Sequence, residues 1–472
     1  MSMHQKLAAM IFTALLLSAC SKGVDYTKPA FDLNESWHDE TADGQKTESV
    51  DAVVWWSQMN DPLLSQLISE TMLHNRDLAE ALANIEKAKA NRRLAAAGFM
   101  PTLALQTDAG RNRFSSQSSF GGSRAGIRNS AGGELVASWE PDFFGRNRHA
   151  VDAASAQVGS NKAAHQSVLL SVIAEVASSY FEVRGFQRQL EVTEQDIKLL
   201  KRVEDIAQAQ SESGITTRLD LVRAQGERET FEAGIPKLKA EIITRIYRIS
   251  VLTGQAPETH LKSFESHAPV AMPSDRVPVG LRSDILKRRP DIQQAERDLA
   301  IATASLGIAK AERFPSFSLT GAVGTSARLF SDLFLISTLT SSVATAINWS
   351  IYSGGAMTAQ VDIADLEVKA ALARYEQSVL LALEDAESAL LRYGLEWQTL
   401  KQLRIAENSR LQAADIARLR YESGEEDLLV VLDAERSLIT TRNDIISSET
   451  RILTYLSLLY KSLGGGWKGV ES

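Results

Sequence analysis

The 472-residue chain has one cysteine, at position 20, so it can form neither an internal disulfide nor any paired-cysteine zinc pattern. Its seven histidines, at positions 4, 38, 74, 149, 165, 260 and 267, include no His-Glu-x-x-His pair and no cluster at metal-ligand spacing. There is no Walker-type phosphate loop and no Gly-x-Ser-x-Gly elbow, and the pairs Gly121-Gly122 and Gly132-Gly133 lack the strand-to-helix setting of a dinucleotide site. No catalytic constellation emerges, and the chain is read as non-enzymatic. With a formal charge of -8 and no basic stripe, it lacks the surface a dedicated nucleic-acid binder needs to neutralise phosphates.

Proline is missing where its absence says most. None occurs between Phe143 and Ile235 and none after Pro315, whereas Pro257, Pro269, Pro273, Pro278 and Pro290 crowd one stretch. A proline inside a helix costs about 3 kcal/mol, so the proline-free reaches are where long helices can run. From Arg146 to about Ser211 the apolar residues recur at helical spacing, as in Ile173, Val176, Tyr180 and Val183. In the second reach Val368, Leu372, Tyr375, Val379, Ala382, Ala386 and Ala389 step by fours and threes, a coiled-coil seam. Some 65 helical residues extend about 100 Å, which no compact domain contains.

The chain repeats itself at an offset of about 210 to 214 positions. Asn75-Arg76-Asp77-Leu78 matches Arg289-Pro290-Asp291-Ile292, Trp139 matches Trp349, Gly145 matches Gly355, and Glu212-Ser213-Gly214 matches Glu422-Ser423-Gly424. Each half is expected to hold a helix of roughly 30 to 40 residues, a polar glycine- and serine-rich section, a very long helix, a Glu-Ser-Gly turn and a further helix. The glycine of each Glu-Ser-Gly supplies the left-handed position that ends a helix. The expected boundaries are 1–19 for a signal peptide, 20–60 for an extended N-terminal segment, 61–258 and 285–463 for the two repeats, 259–284 for a proline-rich connector and 464–472 for a tail.

Within the repeats, the sections at about 101–144 and 315–353 alternate as strands do. Val343, Thr345, Ile347, Trp349 and Ile351 fall on one face against Ala344, Ala346, Asn348 and Ser350; Leu135, Ala137 and Trp139 alternate with Ser138 and Glu140. Strands of about 10 to 13 residues suit a tilted bilayer crossing with every second residue toward lipid, although soluble hairpins packed on helices also alternate. Two hairpins give four strands, and four strands leave unpaired edges that hydrocarbon does not tolerate. Three copies giving twelve strands is the economical closed solution, because spanning barrels start at about eight.

Cys20 follows Lys6 and an apolar run, Leu7 to Leu17, that has the length of a signal-peptide core and is too short to span a bilayer. Leu17-Ser18-Ala19 before the cysteine resembles the bacterial lipobox, whose cleavage leaves a lipid-bearing cysteine as the first mature residue; an ordinary signal peptide is the alternative. Acyl chains on Cys20 contribute about 0.8 kcal/mol per buried CH2. By the same resemblance, Ser21 in the next position directs the product to the outer membrane.

Together "VVWWSQMNDPLLSQLI" (Val53 to Ile68), "NRDLAEA", "RRPDIQQAERDL" (Arg288 to Leu299), "GEEDLLVVLDAERSL" and "LYKSLGGGW" (Leu459 to Trp467) resemble the outer membrane factors, the TolC-like channels, and the lipobox is similar to that of their lipoprotein branch. The resemblance covers nearly the whole mature chain. It implies a mainly α chain with transmembrane β: a homotrimer with a shared 12-stranded β-barrel, four strands per protomer, continued by a long periplasmic α-helical barrel. It implies no cofactor beyond the covalent lipid on Cys20, and as partners outer membrane lipid, a periplasmic adaptor and an inner-membrane resistance-nodulation-division transporter. The adaptor-contacting tips carry over to Gln210 to Arg218 and Arg420 to Asp427, with Ser213, Gly214, Ser423 and Gly424 at the turns. The periplasmic gate carries over to Leu429 and Asp433, whose repeat mates are Leu219 and Arg223. Three Leu429 side chains around an axis exclude water and three Asp433 carboxylates repel one another. Alternating Arg223 and Asp433 suggests salt bridges between helices in the shut state.

Other conspicuous residues read structurally. Asp61-Pro62 is a helix cap followed by proline at the first position, and Glu425, Glu426 and Asp427 are acids at a helix start. Trp55 and Trp56 are expected to pack, and Arg289 to bridge to a neighbour beside a helix begun at Pro290-Asp291. The remaining carboxylates on long helices are read as solvated faces. Two other ducts or scaffolds fit the pattern: the outer membrane duct of a type I secretion system, and a poreless lipid-anchored periplasmic coiled coil.

Overall fold

A computed structural model of the protein describes residues 26–29, 37, 52–114, 126–275, 277 and 282–465. Cys20 and the signal segment lie outside the described residues. The first half holds α1 (Pro62–His74), α2 (Arg76–Ala97), β1 (Thr102–Phe114), β2 (Gly126–Trp139), α3 (Arg146–Glu212), α4 (Arg218–Glu232) and α5 (Ile235–Leu252). The second half holds a single turn Ile285–Arg288, α6 (Pro290–Ala311), β3 (Ser316–Ala327), β4 (Leu339–Asn348), α7 (Ala356–Glu422) and α8 (Leu428–Ser462). The helices α3 and α7 are 67 residues each, on the order of 100 Å.

Contacts divide the chain into two compact units that cut across the sequence repeat. One contains residues 85–161 and 295–375 with the described part of 1–29; the other contains the described part of 30–84, residues 162–294 and the described part of 376–472. The cut has a physical cause, since each half contributes one hairpin to a single sheet and neither hairpin is stable alone.

That sheet is antiparallel, in the order β1-β2-β3-β4. Its register is regular: Leu103 lies opposite Ala137, Leu135 opposite Val323, and Gly321 opposite Val343. The foot of each hairpin is tied by an indole, Trp139 Nε1 donating to the Phe99 carbonyl at 2.9 Å and Trp349 Nε1 to the Arg313 carbonyl at 3.1 Å. The expected strand through Ile351 is shorter than the alternation suggests. It ends at Asn348 because its partner β3 begins at Ser316, directly opposite, so Trp349 and Ile351 have no ladder to join. In the same unit Tyr26 packs on Leu299, Ala302 and Ala371, and Lys28 Nζ meets the buried Glu296 carboxylate at 2.5 Å. Burial beside Glu296 pushes the Tyr26 hydroxyl up to about 12.

The single helix of 30 to 40 residues expected before each hairpin is broken in both halves. Asn75 takes extended ψ at 134°, and its Oδ1 accepts from Leu78 N, so it ends α1 and caps α2. Arg289 belongs to neither helix and precedes Pro290, which disfavours helical backbone in the residue before it. Likewise the helix after the first turn is split at Ala233 and Gly234, where Pro236 at the second helical position removes a donor, whereas α8 runs unbroken.

Asp61 caps α1 through Leu63 N and Leu64 N, with Pro62 at the first position as its sequence indicates. Its other carboxylate oxygen accepts from the fully buried Tyr180, whose hydroxyl is pushed above its ordinary range, first by burial and then by Asp61. Trp55 and Trp56 are buried, Trp55 stacked on Tyr460 at 5.0 Å. The seam on α7 faces inward: Tyr375, Val379, Ala382 and Ala386 are buried, while intervening residues such as Glu376 and Leu380 are exposed.

Candidate functional site: a two-faced sheet and paired helix turns

Because opposite residues of an antiparallel ladder share a face, the register sorts the strands without ambiguity. One face collects Leu103, Leu105, Leu135, Phe317, Leu319 and Val323, together with Leu339, Val343 and Ile347. The other collects Gln106, Asp108, Arg128, Glu134, Ser318, Thr320 and Ser342, with mostly small residues between them and the apolar side chains of Val136 and Phe114 as exceptions. Most of the large apolar side chains are exposed on the chain, as on a surface built for hydrocarbon. Within the chain, the outer edges of β1 and β4 pair with no strand among the described residues. A sheet with one oily face and two open edges needs further strands before it can stand in a membrane.

The second unit carries the helix turns. Between α3 and α4 and between α7 and α8 the chain reverses at Ser213-Gly214 and Ser423-Gly424, with Gly214 at φ 73° and Gly424 at φ 75°. Ile215 N donates to the Gln210 carbonyl at 2.9 Å and Glu425 N to the Arg420 carbonyl at 2.8 Å, the six-to-one closure that satisfies the last carbonyls of a helix. Both turns are exposed, and a Cβ on either glycine would meet nothing within 4 Å. Thr217 and Asp220 form a capping box on α4, and Asp427 caps α8 by accepting from Leu429 N at 2.9 Å. Asp427 is thus a cap, as its position indicates. Behind the turns one apolar cluster joins all four helices through Val203, Ala207, Ala224, Tyr421, Leu428 and Val431.

Leu429 and Asp433 are four residues apart and so lie one above the other on the helix face turned away from that cluster. Leu429 is 55 % exposed, while its neighbour Leu428 is 1 % exposed. Leu219 and Arg223 occupy the corresponding exposed face of α4. Arg223 pairs with Asp220 at 3.7 Å, and among the described residues it forms no ion pair with Asp433 within the chain.

Several acids expected to be solvated are instead buried and paired with arginines of another helix. Glu435 meets Arg418 at 2.5 Å, Glu227 accepts from Arg436 Nε at 2.8 Å, Glu204 accepts from Arg228 Nε at 2.6 Å, and Asp196 meets Arg442 at 3.1 Å. Burial raises the Asp196 carboxyl and Arg442 opposes the shift. Such pairs fix helix register, because removing one partner strands a buried charge at a cost of about 3 to 5 kcal/mol. Sequence reasoning missed them because each partner lies on a different helix. Among the described residues there is no group of His, Cys, Asp and Glu able to hold a metal, and no helix is long and apolar enough to cross a membrane.

An open-edged sheet, apolar on one side and polar on the other, in a chain with two 67-residue helices, defines a subunit of a β-barrel membrane channel. The model of the outer membrane efflux protein family matches residues 67–255 and 281–465, and the chain belongs to that family. It is 29% identical over 473 residues to the toluene efflux pump outer membrane protein TtgC of Pseudomonas putida, covering 98% of this chain and 96% of the relative. It is 31% identical over 466 residues to the cation efflux system protein CusC of Escherichia coli, covering 96% and 97%. The solved structure of the outer-membrane channel OprN matches with a TM-score of 0.88 at 31% identity, covering 95% of this chain and 100% of that one. The chain is therefore an efflux channel protein of the cell outer membrane with the TolC-like fold, and its family is one of ducts rather than enzymes.

Proposed function

We propose that three copies of this chain close a 12-stranded barrel and form the passive exit duct of a tripartite pump, taking small toxic compounds from an inner-membrane resistance-nodulation-division transporter through a periplasmic adaptor. One observation carries the reading: among the described residues the chain has four strands, in one sheet with an oily face and two open edges, too few to seal a barrel. Rotational closure joins β4 of one copy to β1 of the next and gathers the polar faces around a lumen. The adaptor meets the turns at Ser213, Gly214, Ser423 and Gly424. Leu429 and Asp433 line the periplasmic gate, where like charges drawn together around the axis make closure sensitive to cations, pH and partner.

A lipid on Cys20 anchors the chain. Tyr26 is six residues further on, so the seat of Tyr26 and Lys28 tethers the acyl chains within about 20 Å. Substrate choice belongs to the pump: two relatives of nearly equal similarity carry toluene and cation efflux in their names, and the polar face of this chain's sheet presents general polar groups such as Gln106, Ser318, Thr320 and Ser342. Planar-bilayer recording of the purified protein tests the duct. Stepwise conductance from a species of three-chain mass is the expected result, and a monomer that leaves the bilayer silent is the contrary one.

A further inference from the structure

The outward face of β1 reads Leu103, Leu105, Thr107, Ala109 and then Arg111 and Arg113. The hydrocarbon-facing row thus turns abruptly basic at its outer end. The outward face of β2 alongside it carries Ile127, Asn129, Ala131, Gly133, Leu135, Ala137 and Trp139, with no acid. The acids of this hairpin, Asp108 and Glu134, and Arg128 as well, have the opposite parity and face the polar side. Arg111 and Arg113 are exposed, and no ion pair of either is found among the described residues. The segment from position 109 to 131 holds four arginines and no Asp or Glu, in a chain whose formal charge is -8.

Height fixes what these arginines meet. Trp139 marks the periplasmic foot, level with the residue before Thr102. At about 3.4 Å per residue and a tilt of about 40°, Arg111 stands roughly 26 Å above it, where an apolar band about 25 Å tall gives way to headgroups. Two residues apart on one strand face, the guanidinium groups start from backbones about 7 Å apart. They repel each other in isolation, and together they can grip one phosphate through bidentate bonds.

From this placement we propose that Arg111 and Arg113 form a phosphate-binding site on the outer, lipid-facing rim of the barrel, and that it holds phosphorylated lipid of the outer leaflet. The inference goes beyond the duct and rests only on the sheet standing in the outer membrane with its hairpin ends outward. Its occupant is a lipid rather than free phosphate, because the same face continues below the arginines through Ala109, Thr107, Leu105 and Leu103, a mainly apolar surface on which acyl chains can lie.

The test uses full-length protein in phosphatidylcholine bilayers containing a small fixed fraction of bis-phosphorylated lipid A, with bound lipid counted by mass spectrometry and conductance recorded on the same sample. The wild type is expected to retain lipid A over its dephosphorylated form, and R111Q/R113Q to bind it roughly tenfold or more weakly. R128Q, on the lumen side of the same hairpin, is expected to stay within about twofold of wild type, and R111K/R113K, which keeps the charge but not the bidentate fork, to fall between the wild type and R111Q/R113Q. Equal binding of the two lipid forms by the wild type overturns the proposal even where the glutamine variant fails to assemble. So does unchanged binding by an assembled R111Q/R113Q, a loss as large in R128Q, or displacement by millimolar inorganic phosphate. Conducting channels without lipid A selectivity overturn this site alone and leave the duct standing.

Discussion

Asn75 Nδ2 donates to the carbonyl of Leu252 at 2.9 Å, and two hundred residues later Arg289 Nη1 donates to the carbonyl of Ser462 at 3.0 Å. The two bonds are images of each other under the sequence repeat. In each half, the polar residue that starts the pre-hairpin helix also closes the end of the half's last helix. Asn75 does both tasks at once, so its loss removes a cap and strands a buried carbonyl. Asn75→Ala is expected to cost about 2 to 3 kcal/mol, read as a lowered unfolding midpoint in detergent by circular dichroism.

Three glycines with nearly equal φ are expected to answer alanine differently. Gly214 and Gly424 stand in open space, so each substitution carries only the left-handed backbone penalty of about 1 kcal/mol, confined to the turn and visible as faster amide exchange there. Gly254, at φ 73°, sits against the backbone of His74, which has no room to give. Gly254→Ala is expected to abolish assembly into a heat-resistant species on gels, while the two turn variants still assemble.

His260 is buried, its Nε2 3.0 Å from Thr253 Oγ1 and 3.5 Å from a Glu70 carboxylate oxygen. Burial lowers its pKa from 6.5 and Glu70 only partly offsets this; burial lowers His165 too. The unfolded chain therefore binds more protons below pH 6.5, so stability is intact above that value and falls as the pH drops through it. Thermal melts from pH 7.5 to 5 are expected to show this fall, smaller in His260→Gln, with a residual slope from His165.

If Leu429 and Asp433 line the proposed periplasmic gate, removing both together is expected to let large antibiotics leak inward. Cells carrying L429A/D433A at normal expression are expected to take up such compounds several-fold faster than wild type. The helix itself is expected to stand, because both side chains point away from the core that Leu428 and Val431 occupy.

What the sequence disclosed and what it hid follow one physical rule. The strands, the α7 seam and the glycine turns are local periodicities or local backbone demands, and Val379, Ala382 and Gly424 stand where those demands require. The break at Asn75 was not legible, since the helical pattern runs on through it and one of its bonds goes to a residue 177 positions away, whereas the break at Gly234 was signalled locally by Gly234 and Pro236 and was overlooked. The buried acids were likewise hidden, because Glu435 looks like any surface glutamate until Arg418 of the preceding helix is set beside it. Of the candidate site, the turns and the exposed Leu429 face are properties of one chain. The gate they are proposed to form belongs to an assembly.

The central claim is that the open edges of this sheet are completed by other copies of the same chain. A photo-crosslinker at Thr345 on the β4 edge, in a mixture of light and isotope-heavy copies reconstituted in bilayers, tests it directly. The account requires light-to-heavy links that map to residues of β1, in a particle of three chains. Links confined to each copy's own strands, in a particle of one chain, contradict it.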